Sequence, residues 1–155
     1  MPKSVFHMGL RVKMRLKAVT LTVALIFGGA LASTTPAAAA SAADCPSGKL
    51  CLFLDSNFGG EIYVPDSNRV SDLKGESYPG NYPPVNDSTS SVVNKTGQTV
   101  RLNENSGQNG RYIDIKANSQ ILNLKSNSFV IYNHDGSTNQ LYGAFNDVIS
   151  SFCTR

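Results

Sequence analysis

Two hexapeptides concentrate the oxygen chemistry of this chain. One reads Asn86-Asp87-Ser88-Thr89-Ser90-Ser91, and sixty residues later the other reads Asn146-Asp147-Val148-Ile149-Ser150-Ser151. Both have the form Asn-Asp-x-x-Ser/Thr-Ser. Each gathers carboxylate, amide, carbonyl and hydroxyl oxygens in one short loop. That donor set suits a hard cation, since calcium takes six to eight oxygens at about 2.3–2.6 Å. The same side chains can instead serve only their own backbone, as Asn, Asp and Ser do in turns. Two copies at equivalent places in a repeat favour the metal.

Catalytic chemistry has much less to work with. His134 is the one histidine beyond residue 7, and it sits in the turn sequence Asn133-His134-Asp135-Gly136. A general base needs an orienting partner and a nucleophile within reach. No serine stands in a nucleophile-elbow pattern. Zinc needs three or four His, Cys or acidic ligands at suitable spacing, and His134 with the cysteines does not supply them. The expectation is a non-enzymatic protein.

The elements that must position the hexapeptides are short strands. Each hexapeptide runs into apolar residues, Val92-Val93 and Phe152. Apolar or alternating runs at residues 50–54, 61–64, 91–93, 99–102, 111–115, 120–124 and 129–132 read as further strands. Gly- and Asn-rich turns separate them, at residues 57–60, 94–97, 105–110 and 133–136. Gly75, Pro79, Gly80, Pro83 and Pro84 exclude a long helix over residues 66–85, where Val70 and Leu73 could pack a short turn. From Gly60 to Asn86 is 26 residues and from Gly110 to Asn146 is 36, so the second unit carries ten more, assigned to a hairpin around His134. The expected fold is all-β, two Greek keys, the first at about 45–97 and the second at about 98–155.

Residues 1–42 read as a secretory signal peptide. Lys3, Arg11, Lys13, Arg15 and Lys17 precede an apolar stretch at 18–32 and then a run of small residues. The mature domain is then 43–155, secreted and extracellular, with no stable membrane insertion once the leader is cut. The whole chain carries +3, but from Ser41 onward nine Lys/Arg face eleven Asp/Glu, a net charge of −2. That argues against a nucleic-acid partner, which would need a basic patch. A monomer is expected. Export permits disulfides. Cys45 and Cys51 enclose their own turn residues and form the preferred pair; Cys51 with Cys153 is the rival, and one thiol is left over either way.

Phe53, Phe58 and Gly60 fit an aromatic, four residues, an aromatic, one residue and a glycine. With the two hexapeptides, they make residues 45–155 resemble the βγ-crystallin family, which implies a sandwich of two Greek keys. The second unit departs from the pattern: Asn103 and Gln108 stand where aromatics would be, although Gly110 holds. A looser second hairpin without an aromatic corner follows. The start, Cys45-Pro46-Ser47-Gly48-Lys49-Leu50-Cys51-Leu52-Phe53, is similar to small secreted actinobacterial proteins classed with crystallin-like metalloproteinase inhibitors.

These resemblances imply ligands and partners. Up to two Ca2+ ions would bind: one at Ser88, Ser90 and the turn near Ser106, the other at Val148, Ser150 and the turn near Ser56. Asp87 and Asp147 would supply nearby charge, and Asn86 and Asn146 would brace the loops. With so few charges, affinity should fall in the extracellular range of about 10⁻⁴–10⁻³ M. The partner implied by the inhibitor resemblance is an extracellular metalloprotease, blocked by a rigid loop at residues 78–85 or 133–142. An extracellular toxin or wall-binding protein would share the same fold.

Overall fold

The computed structural model describes residues 40–80, 82–126, 129–139 and 145–155. Most of the expected leader, Asn81 of the first candidate loop and residues 140–142 of the second lie outside them. The described residues hold ten strands: β1 Leu50–Phe53, β2 Ile62–Tyr63, β3 Arg69–Val70, β4 Ser91–Asn94, β5 Val100–Asn105, β6 Asn109–Ile115, β7 Ser119–Ile121, β8 Ile131–Tyr132, β9 Thr138–Asn139 and β10 Ser151–Thr154. Among the described residues there is no α-helix, only short 3-10 turns.

The strands form two antiparallel sheets, ordered β2-β1-β4-β7 and β3-β10-β5-β6-β8-β9. Each key sends one strand into the other's sheet. β3 of the first key pairs with β10 of the second, and β7 of the second pairs with β4 of the first. The keys are therefore interlocked by backbone hydrogen bonds as well as by the core. The β8–β9 hairpin extends the edge of the second sheet and carries the turn at residues 133–137. It is the insertion that the unequal spacing of the repeat indicates.

Strand alternation assigns the faces. In β1, Leu50 and Leu52 join the main core with Val92, Leu102, Ile113 and Phe152. Cys51 and Phe53 point the other way, into a small cluster with Cys45, Phe58 and Val93. The Cys45–Cys51 disulfide closes over this second cluster, which is the preferred pairing, and Cys153 is the free thiol.

Two strands escape the sequence reading. β3 has a single apolar residue, Val70, and β9 has none. Both exist because a neighbouring strand offers them backbone partners. The runs at 120–124 and 129–132 form strands, but shorter ones.

Candidate functional site

The two hexapeptides adopt the same backbone. Asp87 (φ 57°) and Asp147 (φ 56°) both occupy the left-handed region, which Asp tolerates better than most residues. Both Asp side chains are exposed, whereas Thr89, Ile149, Ser91 and Ser151 are buried. The loops lie against each other. Asp87 N donates to Ile149 O at 3.1 Å, and Asp147 N donates to Thr89 O at 3.2 Å.

The side chains repeat that reciprocity. Ser90 Oγ donates to Asp147 Oδ1 at 3.2 Å. Ser150 Oγ donates to Asp87 Oδ1 at 3.1 Å. Each corner thus combines a hydroxyl from one key with a carboxylate from the other. Asn86 Nδ2 donates to Asp87 Oδ2 at 2.6 Å, and Asn146 Nδ2 donates to Asp147 Oδ2. The amide oxygens of Asn86 and Asn146 are both buried without a protein partner. The third positions differ: Ser88 Oγ donates to Pro84 O, whereas Val148 packs on the main core.

The last serine of each hexapeptide pins the hairpin turn of its own key. Ser91 Oγ donates to Asp55 O at 2.6 Å and accepts from Phe58 N at 3.0 Å. Ser151 Oγ donates to Asn105 O at 2.6 Å and accepts from Gln108 N at 3.1 Å. The glycine of each turn is required by space as well as by φ. A Cβ on Gly60 would lie 2.8 Å from Asp55 Oδ2, and one on Gly110 would lie 2.6 Å from Asn105 Nδ2. Ser56 and Ser106 lie in these turns. Among the described residues no hydrogen bond joins Ser56 to Val148 or Ser150, or Ser106 to Ser88 or Ser90. The side-chain bonds that cross between keys at the hexapeptides run instead from serine to aspartate.

The second hairpin is not the loose one expected. In the first, Phe53 and Phe58 pack with ring centroids 5.4 Å apart. In the second, Gln108 takes the place of Phe58 and uses its amide. Its Oε1 accepts from Arg69 Nε at 2.9 Å and its Nε2 donates to Val70 O at 3.1 Å. Polar bonds to β3 replace the aromatic corner. An Arg111–Glu104 ion pair at 2.5 Å braces the same hairpin and holds the Glu104 carboxyl below its usual range, through the Arg111 hydrogen bond first.

The loop at residues 78–85 is rooted on the first hexapeptide. Tyr78 is buried, with its OH 3.1 Å from Thr89 Oγ1, and burial pushes its phenol pKa well up. Ser77 pairs with Pro84 across the loop base, and Val85 N donates to Glu76 O at 3.0 Å. Above that pinch Tyr82 is 48% exposed, followed by exposed Pro83 and Pro84. The other candidate loop is the turn of β8–β9. There His134 is exposed and Asp135 Oδ1 accepts from Ser137 N and Oγ at 2.9 and 2.7 Å.

Among the described residues no group of three or more His, Cys, Asp and Glu is placed to hold a metal. A cation at the hexapeptides would therefore have to draw on hydroxyl and carbonyl oxygens too. Among the same residues no helix is long and apolar enough to cross a membrane.

The interlocked keys and their serine-pinned hairpins define a βγ-crystallin fold. A solved structure described as "Evolution of the eye lens beta-gamma-crystallin domain fold" is similar at a TM-score of 0.52 and 21% identity, covering 72% of this chain and 89% of that one. A beta gamma crystallin from Ciona intestinalis, 23% identical, gives a TM-score of 0.46 over 70% of this chain and 100% of that one. No curated protein matches the chain. The model of peptidase inhibitor family I36 matches residues 38–115, half of the sequence, and the chain belongs to that family.

Proposed function

We propose that the chain is a secreted, non-enzymatic inhibitor of an extracellular metalloprotease, built on a scaffold that calcium ties together. Family membership supports the inhibitor part. The observation that carries the reading is the loop at residues 78–85, pinched at its base and rooted by Tyr78. Pro83 and Pro84 restrict the backbone beside exposed Tyr82. Residues 82–85, held this way, lose little conformational entropy on docking into a protease cleft.

The reciprocal Ser–Asp pairs support calcium. Two oxygens bound at right angles to one calcium stand about 3.4 Å apart, and both hydroxyl–carboxylate pairs are within a few tenths of that spacing. The donor chemistry therefore fits. Ser90 with Asp147, and Ser150 with Asp87, would hold up to two ions. The carbonyls of Ser88 and Val148 and the turns at Ser106 and Ser56 are the further donors that the resemblance implies. A bound ion would offset the Asp charges and favour the folded state by linkage. It would also firm the inhibitory loop, because Thr89 bonds Tyr78 and Ser88 bonds Pro84.

The test is inhibition of a panel of extracellular metalloproteases by the secreted protein and by Tyr82→Ala. The expected result is inhibition that weakens at least about tenfold in the variant, with an unchanged melting temperature. No inhibition by the parent, or equal inhibition by Tyr82→Ala, would refute the reading.

A further inference from the structure

We infer that the chain is processed between Ala40 and Ser41, so that the finished protein begins with a Ser41 ammonium held by Asp44. This rests on the secretion reading above. By sequence the leader spans residues 1–42, but the residues around that boundary permit several cuts. Small residues occupy every position from 37 to 43, and cuts after residues 39, 40, 41, 42 or 43 all satisfy the small-x-small requirement.

The fold ranks the resulting N-termini by the contacts each one keeps. Ser41 N donates to Asp44 Oδ2 at 2.7 Å and Ser41 Oγ donates to the same oxygen at 3.0 Å. Asp44 N returns a bond to Ser41 O at 3.0 Å, closing the 3-10 turn Ala42–Asp44. Ala42 packs on the Phe53–Phe58 cluster beside the disulfide. Lys95 Nζ donates to Ala43 O at 3.4 Å and Cys45 O at 2.5 Å, fastening the segment to the strand end. A cut after 41, 42 or 43 removes both Ser41 donors and leaves the exposed Asp44 carboxylate to solvent, and a cut after 42 or 43 also strips Ala42 from the cluster. A cut after 39 places the ammonium on Ala40, and Ser41 N stays a neutral amide. A cut after 40 makes Ser41 N itself the ammonium, turning its bond to Asp44 into a charge-assisted one. The loss is Ala40, which packs against the same cluster as Ala42.

The test is expression of the full chain in a secreting bacterial host, followed by intact mass and N-terminal sequencing of the protein in the medium. The expected first residue is Ser41. A secreted protein starting at Ala40, Ala42, Ala43 or Asp44 would overturn this inference and leave secretion standing. A chain kept in the cells with its leader attached would overturn both. Acetylating the α-amine of the secreted protein is expected to lower its melting temperature by about 2–5 °C and to leave Asp44→Asn unaffected. An equal effect in both proteins would overturn the Asp44 pairing.

Discussion

Replacing Ser91 by alanine removes one hydroxyl that holds the first hairpin turn from two sides. Ser91 is 0% exposed, and the Phe58 N–H that it receives is buried with its residue. No water can reach that donor when the oxygen is gone. A stranded buried donor costs about 1–3 kcal/mol, and the lost bond to Asp55 O adds about 1. The expected destabilisation is therefore about 2–4 kcal/mol. A domain of this size unfolds with an entropy of roughly 0.23 kcal/mol/K, which makes the shift about 9–17 °C. Ser151→Ala removes the equivalent hydroxyl, but the Gln108 N–H is only part-buried. Water can replace part of that bond, and about 1–2 kcal/mol is expected. Thermal and urea unfolding of the two variants in chelator measure both numbers without any metal term. A Ser91→Ala loss below about 1 kcal/mol, or a larger loss in Ser151→Ala, would refute the reasoning.

Other consequences are open to measurement. Reducing Cys45–Cys51, a bridge of sequence separation 6, should cost about 2–3 kcal/mol by loop-closure entropy; calorimetry with and without reductant checks this. The Glu104 carboxyl is depressed in the fold, so its stabilisation is present above the unfolded value of about 4.3 and is lost as pH falls through the folded value. Because the pair is partly solvated, Glu104→Gln should cost at most about 1 kcal/mol near neutrality. The urea midpoints of variant and parent should converge on acidification, and a gap that survives below both values would contradict the ion-pair origin.

The architecture was largely legible in the residues because the hexapeptide signals are local. Asn-Asp-x-x-Ser/Thr-Ser sets a turn, and the apolar pair or phenylalanine after it starts a strand. The unequal spacing from Gly60 to Asn86 and from Gly110 to Asn146 located the inserted hairpin without any structure. What stayed hidden lives in tertiary contacts. Ser90 meets Asp147 across 57 residues of chain, and Ser150 meets Asp87 across 63. Nothing in either hexapeptide alone indicates that its aspartate serves the other copy. By sequence Gln108 is a missing aromatic, because a side chain that replaces stacking by hydrogen bonds to Arg69 and Val70 leaves no mark in its own neighbourhood. β3 has no legible pattern for the same reason, since a two-residue strand draws its stability from β10 and not from its own sequence.

The most direct test is a thermal melt of the secreted protein in about 10 mM calcium and in chelator, alongside the Ser90→Ala/Ser150→Ala double variant. For dissociation constants of about 10⁻⁴–10⁻³ M, each filled site should add about 1.4–2.7 kcal/mol, or about 6–12 °C. The account predicts that rise in the parent and its loss in the double variant. Identical melts of the parent with and without calcium would contradict it, and would leave the hexapeptides as loops that serve only the backbone.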